Sequence, residues 1–332
     1  MKLNPAALHQ RKLYDGAANL LYHARGKAPA FLRISYRKDR NPAMIESELH
    51  YMSYLAEHGF SCPIPLSSSK GNLLEVYRMD EHELCASLLS ELKGKHMYEM
   101  SFRLPHGMAL DDFWRHCGKT LGTMHELSRR YLAAYKVTRF TWLDRHQQSL
   151  AWLFLEHPEY RQLINAVVED IRQIPQSSGS YGICHNDFNV GNFLLDYDCG
   201  SEGLKTLDFD DCGFNYYMYD LACFWEMCTG WAINLADRPD WPSFMHRCFS
   251  TMLEEYHHHF CPDFDPQQLL PRFLKAAHIE NILEPLRELH YSDKALIPDK
   301  EIMYHLYCLQ HELDYMGLYS EIFNPNKPFT LA

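Results

Sequence analysis

The stretch Tyr181–Ala222, YGICHNDFNVGNFLLDYDCGSEGLKTLDFDDCGFNYYMYDLA, constrains this chain more than any other. It reads as two short apolar strands, each ending in carboxylate or amide side chains. His185, Asp187 and Asn192 follow the first; the second, Leu204 to Phe209, delivers Asp208 and is followed by Asp210 and Asp211. Isolated aspartates most often fill turns. Here the joint spacing argues for more: five positions separate Asp187 from Asn192, and Asp208 lies between Leu207 and Phe209 on its own apolar strand. One carboxylate to orient a hydroxyl, with an amide and a second carboxylate to hold a divalent metal, is the layout phosphoryl transfer asks for. Its transition state needs positioning and charge neutralisation more than covalent chemistry.

The segments HNDFNVGN, TLDFDD and YDLA resemble the catalytic loop, the metal strand and the closing motif of the aminoglycoside phosphotransferase and choline kinase family, the small-molecule relatives of protein kinases. The resemblance implies an α+β, protein-kinase-like bilobal fold. Residues 1–93 would form a small antiparallel-sheet lobe that binds nucleotide, and residues 94–332 a mainly helical lobe for catalysis and substrate binding. It further implies Asp187 as catalytic base, Asn192 and Asp208 as Mg2+ ligands, ATP or GTP as phosphoryl donor, and Asp220 as a buried aspartate bonding the loop backbone. Asn186 stands where the family commonly has Gly. Asn is the next residue most tolerant of a left-handed backbone, so the turn is expected to survive.

Upstream, residues 13–36 read as a hairpin with strands around Asn19–Ala24 and Ala30–Tyr36. By resemblance, Gly16 and Asn19 belong to the loop over the phosphates, and Arg33 holds the place of the phosphate-pairing cation, which is Lys in protein kinases. Arg keeps the charge and adds a planar fork. Pro42 to Gly59 is a helix: Pro42 suits its first turn, Gly59 stops it, and Met44, Ile45, Leu49, Met52 and Leu55 recur at spacings of three and four. Glu48 has the register of the family glutamate that pairs the strand cation. Strands Asn72–Met79 and Leu84–Glu91, joined by an Asp80–Glu83 turn, complete the sheet. Glu91 and Leu92 then lead into the crossover at Lys93-Gly94-Lys95, whose backbone would bind the adenine edge.

Leu110 to Arg130 is an amphipathic helix with Phe113, Cys117, Leu121, Met124 and Leu127 on one face. His125 on it reads as a packing histidine. Residues 142–174 form one or two helices, and the chain after Ala222 is helical and aromatic-rich. There Asp237, Glu254, Glu280, Glu284 and Asp314 offer an acidic wall for an aminated acceptor, while Trp225, Trp231, Tyr256 and Tyr291 offer a cage for a quaternary ammonium. The run His257–His259 is no metal site, because consecutive helical residues diverge by roughly 100°.

The net charge of −11 and the lack of a basic run exclude a nucleic-acid partner and permit cationic acceptors. No stretch approaches the about 18 apolar residues of a membrane helix, and the start MKLNPAALHQRKLYDG has no apolar signal region. Eleven cysteines scattered without a C-x-x-C pair suit reduced thiols, so the expected compartment is the cytoplasm. The expected activity is ATP-dependent transfer of the γ-phosphate to a hydroxyl of a small molecule, such as an aminoglycoside, amino sugar or amino alcohol. A protein Ser/Thr kinase and a nucleotide-binding pseudokinase are the alternatives. The short interval from Asp208 to Asp220 counts against the first, and the presence of Asp187, Asn192 and Asp208 against the second.

Overall fold

A computed structural model describes residues 8–15, 19–24, 29–36, 40–79, 82–97, 99–197, 203–233, 241–290 and 300–312. The amino-terminal part is one antiparallel sheet built from β1 (Leu8–Asp15), β2 (Asn19–Ala24), β3 (Ala30–Ser35), β4 (Pro65–Leu66), β5 (Leu74–Met79) and β6 (His82–Ser90). The order is β1-β2-β3-β6-β4, with β5 also paired to β6. Two edge strands, β1 and β4, add to those the sequence suggested. Pairing of β5 with β6 runs out to Met79↔His82, so His82 and Glu83 belong to the strand rather than to the expected turn. The register Leu21↔Arg33 and Arg33↔Ser87 sets Arg33 in the middle of the sheet.

Helix α1 (Pro42–Glu57) starts where the Asn41 side chain accepts the Met44 N–H at 3.0 Å and stops before Gly59, whose φ of +81° is left-handed. Ile45, Leu49 and Cys85 form a small core between this helix and the sheet. Glu48 is buried on the same helix, which foreshadows a cationic partner, since an unpaired buried charge is prohibitively costly.

The remainder runs β7 (Lys95–His96), α2 (Leu110–Ala134), α3 (Trp142–Arg145), α4 (Gln147–Glu156), α5 (Arg161–Arg172), β8 (Tyr181–Cys184), β9 (Phe193–Leu195), β10 (Lys205–Thr206), β11 (Gly213–Tyr216), α6 (Tyr217–Ile233), α7 (Trp241–His259), α8 (Pro266–His290) and α9 (Lys300–Gln310). Where one or two helices were expected over 142–174 there are three, because His146 and the His157-Pro158 step interrupt the run. Strands β8 and β11 pair antiparallel; β9 pairs with β10 on one side and β7 on the other. One contiguous apolar cluster joins α1, α2, the β8–β11 region and α5 to α9. No helix among the described residues is long and apolar enough to cross a membrane.

Helix α2 packs directly on α7 because it presents Gly118 and Gly122 there. A Cβ on Gly118 would fall 2.1 Å from the Met252 carbonyl oxygen. Gly118→Ala is therefore expected to lower the melting temperature. Overpacking costs ~1–3 kcal/mol, and here the obstacle is backbone, so the ~1 kcal/mol by which Ala is the better helix residue does not offset it. A thermal melt equal to or above wild type would contradict the close packing.

Candidate active site

The loop after β8 is held from beneath. Asp220, on α6 and fully buried, accepts the backbone N–H groups of His185 and Asn186 at 2.8 Å each. His125 of α2 bonds the same carboxylate through Nε2 at 3.0 Å, and its Nδ1 meets the Tyr256 hydroxyl at 2.9 Å. Burial holds the His125 imidazole below its usual pKa, against the pull of Asp220. His125 is thus a buried packing and hydrogen-bonding group, not part of an open site. Asn186 has a φ of +64°, the left-handed turn a Gly usually takes. Its side chain secures that turn by donating to the Asp211 carbonyl at 2.9 Å and accepting from Asn215 at 3.0 Å.

Beyond this turn Asp187, Asn192 and Asp208 line one cleft of about 1430 Å³. Asn192 Nδ2 donates to the Asp187 carboxylate at 2.7 Å and to its carbonyl at 2.9 Å; Asn189 Nδ2 donates to the same carboxylate. Burial pushes the Asp187 carboxyl up and Asp211 adds to it, while His185, the Asn192 bond and Arg145 oppose the rise. Asp208 is not on the expected apolar strand, since β10 ends at Thr206. It sits beyond the strand with φ +55° and starts a short 3-10 turn over Phe209–Asp211. Leu207 N bonds the Asn192 carbonyl at 2.8 Å, one step beyond the β9–β10 pairing, and ties this segment to the catalytic loop. Asp208 keeps an open face to solvent within the cleft. Enclosure there, then Asp210, Asp211 and Asp187, push its carboxyl well up. A cation is what such a crowd of carboxylates calls for.

Arg33 and Glu48 meet at 2.6 Å, with side chains 5% and 1% exposed. Arg33 Nε donates to Ser87 Oγ at 3.2 Å, and its Nη1 also bonds Asp210. Asn19 donates to Asp210 as well. Glu91 and Leu92 line the cleft at the crossover, with Glu91 also bonded to His23 at 3.2 Å. Gly16 lies outside the described residues. The pattern overlooked the cations around the acidic turn. Arg40 binds Asp210 at 2.9 Å and Asp211 at 2.6 Å, Arg145 binds Asp211 at 3.0 Å, and Arg139 caps the Asp210 and Cys212 carbonyls at 2.7 and 2.5 Å. These arginines come from two distant segments, Arg40 from one and Arg139 with Arg145 from the other, and nothing in the sequence ties either to the acidic turn. The triple acid D-F-D-D was the only available sign that cations must converge on it.

The far end of the cleft is lined by Tyr219, Glu226, Asn281, Glu280 and Glu284. Of the expected acidic wall, Glu280 and Glu284 are here; Glu254 is on an exposed face of α7, and Asp237 and Asp314 lie outside the described residues. Neither described member of the expected aromatic cage lines the cleft: Tyr256 is fully buried against His125, and Trp225 packs on His246 and Phe249. Trp231 and Tyr291 fall outside what is described of side chains. His258 and His259 each pair with Glu255, as a solvated helix run would.

Burial alone would raise Glu280, but His146 at 2.8 Å, Arg145 at 3.6 Å and the Trp142 indole N–H at 2.7 Å hold its carboxyl down to about 2. A carboxyl depressed below its unfolded value of about 4.3 contributes stability that is complete above that value and is lost as pH falls towards 2. Glu280→Gln is therefore expected to melt lower than wild type at pH 7, with the gap closing between about pH 4.3 and 2. A gap that stays constant with pH would show that the ion pairs around Glu280 do not stabilise the fold.

The donor set fits a hard divalent cation. Asp208 offers a carboxylate, and Asn192, whose Nδ2 is committed to Asp187, leaves Oδ1 for coordination. Arg33 Nη2 is buried and has no hydrogen-bond partner, as a phosphate-holding guanidinium would be before its ligand arrives. Fold and site together define a kinase-like phosphotransferase. Residues 9–248 match the family described as "Phosphotransferase enzyme family", and the chain belongs to it. It is 22% identical over 282 residues to the amicoumacin kinase of Bacillus subtilis (strain 168), spanning 81% of this chain and 78% of that protein. Among solved structures, an amicoumacin kinase in complex with AMP-PNP and Ca2+ superposes with a TM-score of 0.78 at 18% identity, covering 96% of this chain and 92% of that one. A microcompartment-associated aminopropanol kinase superposes at 0.62 and 17% identity, covering 98% and 94%. The two-lobed kinase-like architecture expected from the sequence is the fold found.

Proposed function

We propose that the chain transfers the γ-phosphoryl group of ATP, or GTP, to a hydroxyl of a small amine-bearing molecule. One observation carries this reading: a single cleft joins Arg33 and the Glu91–Leu92 crossover to Glu226, Glu280 and Glu284, and Asp187, Asn192 and Asp208 line it too. Asp187 orients the acceptor hydroxyl and takes its proton. Asn189 and Asn192 fix the carboxylate, and its raised pKa brings it nearer to what a base needs at neutral pH. Arg33, braced by Glu48, holds the phosphates, and Asn19, the first residue of β2, lines the cleft beside it; Gly16 is assigned to the same phosphates. Asn192 and Asp208 would hold Mg2+, which would supply charge neutralisation for those phosphates. Backbone at Glu91 and Leu92 binds the purine edge, and the lobes divide between residues 93 and 94.

The acidic far end favours an acceptor carrying an amine, in keeping with the likeness to an aminopropanol kinase. No observation favours a protein acceptor, since Asp208 leads within a few residues into β11 and α6. The buried, unpaired thiols, with Cys261 the exposed one among those described, suit the cytoplasm. The test is Mg2+-dependent ADP and GDP release with a panel of amino sugars, amino alcohols, choline, homoserine and a generic protein. Turnover on an amine-bearing small alcohol is expected. Transfer to protein alone would overturn the reading.

A further inference from the structure

Asp210 ties the helical part of the molecule to the amino-terminal sheet across the cleft. Its backbone is fixed from the helical side, where Arg139 donates to the Asp210 and Cys212 carbonyls at 2.7 and 2.5 Å. Its carboxylate reaches the other way. Arg33 of β3 donates to Oδ1, Asn19 of β2 donates to Oδ2, and Arg40, just before α1, meets Oδ2 at 2.9 Å. Asn19 is itself held in place, because its Oδ1 accepts from the Ser35 hydroxyl. Asn19, Arg33, Arg40 and Asp210 all line the cleft, and Asp210 lies two positions beyond Asp208.

Asn19 and Arg33 are the groups assigned to the phosphates of the nucleotide, and here both already hold a carboxylate. Carboxylate and phosphate oxygens compete for the same guanidinium and amide donors, since both bind through charge-assisted hydrogen bonds. Arg33 has little else to offer an incoming anion. Its Nη1 is shared between Glu48 and Asp210, its Nε is on Ser87, and its Nη2 has no partner but is buried. A phosphate therefore gains this guanidinium by displacing Asp210, whose side chain borders the cleft.

We propose that Asp210 is an autoinhibitory latch: in the empty cleft its carboxylate stands in for a phosphate on Asn19, Arg33 and Arg40, and the nucleotide must displace it. The inference rests on the nucleotide reading of the cleft and adds to it a selection on the form of the donor. A nucleotide without its metal meets cations that are already neutralised, and beside them the acids Asp187, Asp208 and Asp211. Its triphosphate then adds little to the binding that the purine and ribose supply.

The experiment is calorimetry of the full chain with AMP-PNP and with adenosine, in EDTA so that metal binding stays out of the comparison. Wild type is expected to bind the two with similar affinity, a comparison that needs no variant. Asp210→Asn is expected to bind AMP-PNP at least about tenfold more tightly, the worth of one hydrogen bond to a charged group, with adenosine unchanged. Asn keeps the shape of the side chain, and Arg33 and Arg40 keep Glu48 and Asp211, so the variant is expected to fold. Asp187→Asn removes a charge from the same cleft, but its carboxylate is on Asn189 and Asn192, and it is expected to gain much less. Adding Arg33→Met to Asp210→Asn is expected to cancel the gain. Wild-type binding of AMP-PNP far tighter than of adenosine, no gain in Asp210→Asn, or an equal gain in Asp187→Asn would overturn the latch. Wild type that binds neither adenosine nor AMP-PNP with Mg2+ would overturn the nucleotide reading, and the latch with it.

Discussion

Asp187→Asn is expected to lower kcat by about 10²–10⁴-fold, the usual contribution of a positioned base, while leaving AMP-PNP affinity nearly unchanged. The substitution keeps the shape of the side chain, and its one amide oxygen can still accept from either Asn192 or Asn189, though not from both. It cannot take a proton. It also removes one charge from a crowd in which Asp187 raises Asp208, so metal and nucleotide binding lose only part of their electrostatic pull. Steady-state ADP release gives kcat, and calorimetry with AMP-PNP and Mg2+ gives affinity. A kcat within about tenfold of wild type falls below the range for a general base and would remove Asp187 from that role.

Arg33→Met carries the largest expected cost in stability. It strands Glu48 at 1% exposure and takes one of the cations from Asp210. Burial already pushes the Glu48 carboxyl up even with Arg33 beside it, and Arg139, at 3.6 Å, has its guanidinium committed to the Asp210, Cys212 and Met44 carbonyls. Breaking one side of such a pair costs about 3–5 kcal/mol, readable as a shift in the urea midpoint. The double variant Arg33→Met, Glu48→Leu is expected to recover most of that loss, because apolar groups of similar volume often replace a buried ion pair without penalty. Nucleotide affinity should not recover, since no phosphate-holding cation returns to that place in the sheet. Recovery of both would make the pair structural only; a single-variant cost within the about 0–1 kcal/mol of a surface pair would contradict its burial.

The elements legible in the sequence are those with a local cause. Asn41, Pro42 and Gly59 delimit α1 by capping and backbone angle, and the hairpin of β2 and β3 follows from its apolar runs. The loop at His185–Asn192 declares itself because its polar groups are packed into a few positions between apolar strands. Asn186 shows why reading by conformational preference works: its left-handed angle is one that Asn tolerates, and its amide then serves the turn. What escaped notice depends on convergence in space. Arg40, the Arg139–Arg145 segment and Arg287 lie far apart along the chain and look like ordinary surface charges, yet all four arginines are drawn inward by Asp210, Asp211, Glu48 and Glu284. The cage role expected of Tyr256 failed for the opposite reason. Tyr256 resembles a ligand-facing ring by composition, but α2 offers His125 as a partner and so turns it into the core.

The measurement that bears most directly on the central claim is 31P NMR of the chain with ATP, Mg2+ and a panel of amino alcohols and amino sugars. The account predicts a new phosphomonoester resonance growing in step with ADP, absent without acceptor and absent in Asp187→Asn. ADP formed only alongside inorganic phosphate, or an ester produced at the wild-type rate by Asp187→Asn, would contradict it.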